Sequence, residues 1–385
     1  MRSNPKSFIP LSVPCLKGNA WNYIKDCLDS GWVSSAGTYV NLFETMIQNR
    51  LDGGSAVAVS SGTAALHTAL LVMGVGSGDE VVVPAMTFVA TANAVTYCGA
   101  KPVFVDVSPL SWGLDPFKVE EFIEQRCDIQ KGKLINRTTG RRVRGIIPVH
   151  LLGHPVDMDP ILQLARRYGL FVVEDACESL GGLYKGRPIG RLADIGCFSF
   201  NGNKVITTGG GGLIITDNRQ RAARARHLTT QAKKHPEEYI HDQVGYNYRL
   251  SNIAAALGCS QVELLDEFLN EKRRIAKYYR QAFAGISDLE CMPNAAWASP
   301  THWLFTICLK RRGGASRLVP FLRQRGIEAR RLWKPLFRLP FHRDCEAFKI
   351  DFTNTLYDQA VSLPSFVGLS LSHQIKIVKA VLSFL

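Results

Sequence analysis

The 385-residue sequence predicts an α/β protein: a mostly parallel central sheet covered by helices, with a smaller C-terminal α/β domain. Three observations predict it. From about residue 55 to 217, short β-branched runs alternate with stretches of helical periodicity. The runs are apolar throughout, as strands buried on both faces must be, rather than alternating apolar and polar. After about residue 250 the texture changes to a long charged helical stretch and a less regular tail. The chain is therefore divided into a large domain, 1–250, including the N-terminal arm, and a small domain, 251–385, joined by a long helix.

The strand candidates are "AVAVS" (56–60), "EVVVP" (80–84), "PVFVDV" (102–107), "GIIPVH" (145–150), "FVVEDA" (171–176), "GCFSF" (196–200) and "GLIIT" (212–216). Helical patterns such as "TAALHTALLVMG" and "DPILQLARRYG" lie between most of them, and most end at glycine, a frequent helix stop. Residues 127–144, "CDIQKGKLINRTTGRRVR", interrupt the alternation with a basic insert in which "INRTTGRRV" fits a small hairpin. The long helical stretch is expected from Ser251 to about Phe283.

Hydrophobic residues make up 46% of the chain, enough for a large core. No apolar stretch approaches a membrane span, and the proline-broken N-terminus has no signal-peptide core, so no membrane partner is expected. Ten cysteines without a C-x-x-C pair read as buried thiols in a reducing compartment, which places the protein in the cytoplasm without disulfides or a metal site. The net charge of +13 is dispersed over many short basic runs. No nucleic-acid-binding motif accompanies it, so an anionic small molecule is the expected partner and nucleic acid is not.

Four strand-to-loop junctions carry candidate chemistry. In sheets of this kind, ligands bind beyond the carboxyl ends of strands. "VSSGTAAL" (59–66) ends a strand in small hydroxyls as a helix starts, which is either a phosphate cradle or an ordinary N-cap. In "PAMTFVATANA" (84–94), Phe88 follows a strand and can stack on a planar ring or pack in the core. In "VVEDACESLGG" (172–182), Asp175 closes an apolar strand, where a carboxylate needs a cationic or hydrogen-bonding partner. It suits a pyridinium nitrogen or a helix cap. In "SFNGNKVITTGGGG" (199–212), Ser199 and Lys204 lie in a polar, glycine-dense turn between two apolar strands. A lysine amine so framed can condense with an aldehyde and then act as a base. Phosphate cradle, ring stacker, strand-end Asp and loop Lys, in this order, suit a pyridoxal 5'-phosphate site.

These stretches, together with "LDSGWVSSAG", "PVHLLGHPVDM", "GYNYRLSNIAAALG" and "LWKPL", resemble the sugar-nucleotide aminotransferases of the DegT/DnrJ/StrS type over nearly the whole chain. Those are fold-type I pyridoxal phosphate-dependent transferases. The insert and the "FNGNK" turn are most similar to the LegC-like branch, which acts on nucleotide-linked 4-keto-6-deoxyhexoses. The resemblance implies that Lys204 bonds the cofactor, Asp175 pairs with the pyridinium and Phe88 stacks on the ring. Ser61, Gly62, Thr63 and Ser199 would hold the phosphate. Glu178 stands where many relatives carry Gln or His near the ring 3'-oxygen. Asn247 would reach the neighbouring subunit's site, so a homodimer with shared active sites is implied. Ser34, Arg330 and Trp333 fall in regions that line the sugar-nucleotide pocket. His150, at the same sheet edge, supports a site residue from behind, contacts substrate, or is a satisfied histidine under a loop. The implied reaction moves an amino group from L-glutamate to a 4-keto sugar, UDP-linked and N-acetylated. A sugar dehydratase on the same fold would replace Lys204, typically with histidine. A non-catalytic scaffold would have no need of Lys204 and Asp175 together.

Overall fold

The computed structural model describes residues 8–235 and 237–385; residues 1–7, part of the N-terminus read above for a signal segment, and residue 236 lie outside the described residues. The first half forms β1 (Ser55–Val59), β2 (Asp79–Pro84), β3 (Lys101–Val105), β4 (Cys127–Gln130), β5 (Lys133–Asn136), β6 (Arg142–Ile146) and β7 (Phe171–Asp175). A short hairpin, β8 (Leu183–Tyr184) and β9 (Arg187–Pro188), precedes β10 (Ile195–Ser199) and β11 (Gly212–Thr216). The C-terminal half adds β12 (Leu289–Cys291), β13 (Ala298–Ser299), β14 (Phe305–Leu309), β15 (Arg330–Arg331), β16 (Ala347–Phe348) and β17 (Ala360–Leu363).

The large sheet runs β1-β11-β10-β7-β6-β2-β3-β16. All neighbours from β10 to β16 are parallel, while β11 runs against both β10 and β1. Helices cover both faces, which is why the strands are apolar throughout. On one face Val57, Val81, Val83 and Val173 pack beneath α3 (Gly62–Val72), α4 (Ala90–Tyr97) and α7 (Arg219–Thr229). On the other, Val82, Val103 and Val172 meet α5 (Pro116–Arg126) and α6 (Met158–Tyr168). Successive strand residues thus serve opposite cores.

The helices start where side chains can accept the free first-turn amides. Ser61 caps α3, Asp115 caps α5 with Pro116 in the first turn, and Asn218 caps α7. α6 ends on Gly169 in the left-handed conformation.

The remaining helices are α1 (Ala20–Ser30) and α2 (Thr38–Arg50) before the sheet, then α8 (Asn252–Val262), α9 (Leu265–Ala282), α10 (Gly314–Gln324), α11 (Phe352–Gln359) and α12 (Leu371–Leu382). The long helix expected from Ser251 to Phe283 is therefore two. Leu264 leaves helical dihedrals (φ −103°, ψ 1°) between them. α8 packs on α1 and α2, and α9 runs on to the small sheet β12-β14-β17-β15.

The insert is also richer than expected. Its first part is a hairpin of β4 and β5 turning at Lys131-Gly132, both with positive φ. "INRTTGRRV" then joins β5 antiparallel to β6, so the insert extends the sheet.

Two segments cross the expected divide. Ile9 brackets Ile327 through backbone bonds to Gly326 and Glu328 and packs in the small-sheet core. In return, β16 joins the large sheet, and Asp106 caps α11 by accepting from the amides of Asp351, Phe352 and Thr353, each at 2.8 Å. We propose the division near residue 250 as one between two cores that exchange these segments. Among the described residues, no helix is long and apolar enough to cross a membrane.

Candidate active site

A cavity of about 490 Å³ opens at the carboxyl ends of β7 and β10, where the strand order brings the four junctions together. Ten of the thirteen expected site residues line it: Ser61, Gly62, Thr63 and Phe88; Asp175, Glu178 and Ser199; Lys204, Arg330 and Trp333.

At one end stands the N-terminus of α3. Ser61 Oγ accepts from the Ala64 amide at 3.0 Å, which leaves the Gly62 and Thr63 amides without an acceptor among the described residues. A Cβ on residue 62 would lie 2.8 Å from both Cys177 Sγ and Ser199 Cβ, so only glycine lets α3 start this close to the ends of β7 and β10. β11 approaches just as closely. A Cβ on Gly212 would meet the Ser61 carbonyl at 2.4 Å, which accounts for one of the four consecutive glycines. Gly209, with φ +79°, turns the chain back into the strand.

Asp175 ends β7, buried to 5% exposure. Its carboxylate accepts from Thr91 Oγ1 at 2.7 Å and from the Cys177 amide at 3.2 Å. Glu178 accepts from the Leu152 amide at 2.7 Å and faces Lys204 Nζ at 3.4 Å. Burial pushes the Glu178 carboxyl above its ordinary value, and the lysine charge opposes that rise.

Lys204 sits in a tight turn, its amide donating to Asn201 O at 3.0 Å, and its Nζ lies 3.8 Å from the centre of the Trp303 ring. Trp303 Nε1 donates to Asn203 O at 2.6 Å. Trp303 is stacked against Trp333 (6.4 Å, 10°), and Trp333 meets Phe88 edge-on at 6.4 Å. An aromatic wall therefore runs from the lysine to Phe88 at the mouth of the cavity, where Phe88 is 51% exposed.

Three expected residues lie elsewhere. His150 is fully buried and does not line the cavity. Its Nδ1 accepts from the Val156 amide at 3.1 Å, so its proton lies on Nε2, which donates to Glu174 at 3.2 Å. Its backbone amide donates to the Asp175 carbonyl at 3.1 Å, bracing the strand end from below. Ser34 and Asn247 are exposed and outside this cavity. The Ser34 carbonyl accepts from the Asn252 amide, and the Asn252 side chain donates to Trp32 O at 2.8 Å. Asn247 lies between Tyr246 and Tyr248, whose amides donate to Leu228 and Thr229; Tyr248 O in turn accepts from Ser60, next to the α3 cap.

Thr91 and Trp303 escaped the sequence reading. Thr91 sits in the quoted "TFVATANA" stretch, but nothing local marks it as the partner of Asp175. Trp303 follows His302, which has φ +52°, a conformation rare for a non-glycine residue.

His302 and His154 lie buried behind this wall, and burial lowers their ring values to about 3 and about 4. Both rings stay neutral in the folded chain while the unfolded chain takes up protons from about pH 6.5 downward. The folded form is therefore fully favoured above that pH and loses stability as pH falls towards 4. The melting temperature is expected to drop between pH 7 and 5, and less steeply in His302→Asn, whose side chain tolerates the positive φ. Equal slopes in both proteins would contradict this.

A helix terminus beside small hydroxyls, a strand-end carboxylate and a lysine amine in one cavity define a pyridoxal phosphate-dependent transferase. The chain belongs to the DegT/DnrJ/EryC1/StrS aminotransferase family, whose family model matches residues 14–382. It is a pyridoxal phosphate-dependent sugar aminotransferase. It is 37% identical over 365 residues to GDP-perosamine synthase of Caulobacter vibrioides, covering 94% of each chain. It is 36% identical over 377 residues to GDP-perosamine synthase of Escherichia coli O157:H7, covering 98% of each. The fold matches that of S. venezuelae DesV with a TM-score of 0.86 at 30% identity, over 97% of this chain and 98% of that one. The residues present fit the cofactor: a dianion suits the free Gly62 and Thr63 amides at the start of α3, beside the Ser61 and Ser199 hydroxyls.

Proposed function

We propose that the chain transfers the amino group of L-glutamate to the 4-keto carbon of a nucleotide-linked 4-keto-6-deoxyhexose, as a homodimer with shared active sites. The observation that carries this reading is the position of Lys204. Its amine is held between a carboxylate and an aromatic face, in the same cavity as the α3 terminus and Asp175. Pyridoxal phosphate supplies an aldehyde to receive the amine and a ring to accept the electron pair released at the donor carbon.

The residues of this chain do the rest. Gly62 and Thr63 amides, with Ser61 and Ser199 hydroxyls, hold the phosphate. Asp175, kept in place by Thr91, would hold the ring nitrogen in its protonated form. Phe88 would cover one face of the ring, and Glu178 would serve its 3'-oxygen; both line the cavity. Lys204 Nζ removes the proton from the donor Cα and, on the second substrate, delivers a proton to the acceptor carbon. Between these steps Glu178 faces the free amine. Arg330 and Trp333 line the cavity and suit the anionic, planar parts of the nucleotide. Glutamate leaves as 2-oxoglutarate and the ketone becomes a primary amine.

The resemblance implied a UDP-linked, N-acetylated sugar, whereas both relatives described above are named for a GDP-linked product. A GDP-linked 4-keto-6-deoxyhexose is therefore the first substrate to offer and the UDP-linked N-acetylated one the second. Purified enzyme, glutamate and each ketone, followed by mass analysis, test the reading. An amino sugar and 2-oxoglutarate in equal amounts support it; loss of water from the sugar, or no product from any ketone, overturns it. Ten cysteines without pairing spacing remain the support for a cytoplasmic location.

The phosphate seat has its own test. Gly62→Ala keeps a good helix former in the first turn of α3 but sets a Cβ 2.8 Å from Cys177 Sγ and Ser199 Cβ, so the first turn and its free amides must shift. The cofactor-free protein should still fold, with a melting temperature lowered by this overpacking, while the Kd for pyridoxal phosphate rises at least about tenfold. An unchanged Kd would move the phosphate elsewhere.

Asn247 and Ser34 are exposed on one chain and outside its cavity, which supports their serving the site of a second copy. Inactive Lys204→Ala and Asn247→Ala subunits should then complement on mixing, because each mixed dimer regains one intact site. Absence of recovery after demonstrated subunit exchange would refute the shared site.

A further inference from the structure

Helix α9 carries a lysine where its pattern calls for an apolar residue. Phe268, Leu269, Ile275 and Tyr279 form its buried stripe, and Lys272 falls in the same stripe at 3% exposure. A charged side chain breaking the pattern of a core helix needs a reason. Lys272 Nζ donates to the Trp303 carbonyl at 2.9 Å and to the Ser365 carbonyl at 2.5 Å, so it ties α9 to two segments of the small unit. Burial lowers its amine to about 7, so the interior holds it at the cost of a strong drive to lose its charge.

The first of those carbonyls belongs to the tryptophan that faces Lys204. Trp303 lies between the two lysines: its carbonyl is held by Lys272, its indole N–H by Asn203, and its ring by Lys204 Nζ at 3.8 Å. The residue before it, His302, is held at φ +52°, and Thr301 donates to the Glu178 carbonyl at 3.0 Å. The segment Thr301–Trp303 thus supplies one neighbour of the Lys204 amine, Trp303, and bonds the other, Glu178. A left-handed residue inside it stores strain that its anchors must hold.

We propose that Lys272 is a positioning residue for Lys204: by fixing the Trp303 carbonyl it seats the indole against the lysine turn, and Lys204 presents its amine from that seat. This rests on the reading of Lys204 given above. Lys272 touches neither the cavity nor Lys204, so its effect must pass through Trp303.

The test is the reactivity of the Lys204 amine in full-length protein, both without cofactor and loaded with pyridoxamine 5'-phosphate. Trace acetic anhydride labels the amines, and peptide mass analysis reads each lysine. Lys118, paired with Asp106 at 2.8 Å, serves as the reference. In Lys272→Met, Lys204 should be labelled at least about fivefold faster than in wild type, with Lys118 within about twofold. Trp303→Leu should do the same, and Trp303→Phe, which keeps an aromatic face, should stay within about twofold of wild type. In turnover, Lys272→Met should lower kcat at least about tenfold with the sugar-nucleotide KM within about threefold. Lys272→Gln keeps one donor and should restore part of both; if Lys272→Met does not fold, Lys272→Gln should itself label Lys204 at least about threefold faster than wild type, with Lys118 within about twofold. Lys204 labelling within twofold of wild type, or Lys204 and Lys118 accelerating together, overturns the proposal. Labelling does not depend on turnover, so failure of the amine-transfer reading, seen as an active Lys204→Ala enzyme, is a separate result.

Discussion

Lys204→Ala is expected to lower turnover at least about a thousandfold, because it removes both the group proposed to bond the cofactor and the proposed base for the substrate proton. No other amine is placed to replace it. Among the described residues lining the cavity, the only other cationic side chains are Arg330 and Arg331, and an arginine does not lose its proton in this range. The substitution should leave the fold intact, since the turn is closed by backbone bonds from Lys204 to Asn201 and from Thr208 to Phe200. Pyridoxamine phosphate binding, followed by its absorbance, should survive through Asp175 and the α3 terminus. Turnover within tenfold of wild type would remove Lys204 from the mechanism.

Asp175→Asn should slow the glutamate half-reaction by about a thousandfold or more, with little change in melting temperature. The amide fits the same space and can still bond Thr91 and accept from the Cys177 amide, so the local hydrogen bonds persist. What disappears is the negative charge that would favour a protonated ring nitrogen. In a site this deeply buried water screens little, so the lost charge acts at full strength on the group beside it. Stopped-flow absorbance with glutamate alone reads this step without the sugar. A normal rate would show that another residue holds the ring. Thr91→Val should produce a milder version of the same defect, because Asp175 keeps its charge and loses one of its two donors.

Much of this site is legible along the chain because its parts sit at strand ends. Strand and helix are set by local periodicity and caps, so the junctions at Ser61, Phe88, Asp175 and Lys204 can be placed before any packing is known. The α/β alternation also forces those junctions to one edge of the sheet, whatever the strand order. The carboxylate at the end of an apolar strand and the lysine inside a glycine-dense turn are anomalies that a core alone does not require.

The sequence by itself thus determined the class of fold, the junctions and the family. Only the tertiary structure decided which polar groups meet. Trp303 lies 100 residues from Asn203, Thr91 lies 84 from Asp175, and Lys272 lies 31 from Trp303. His150 shows the converse: at the right sheet edge in sequence, it turns beneath the strand to Glu174. β16 and Ile9 cross between the two cores by pairings that no local pattern announces. The physical reason is that propensity, capping and burial act over a few residues of chain. A hydrogen bond or ring contact between distant segments leaves no periodic trace until packing brings both partners to one place.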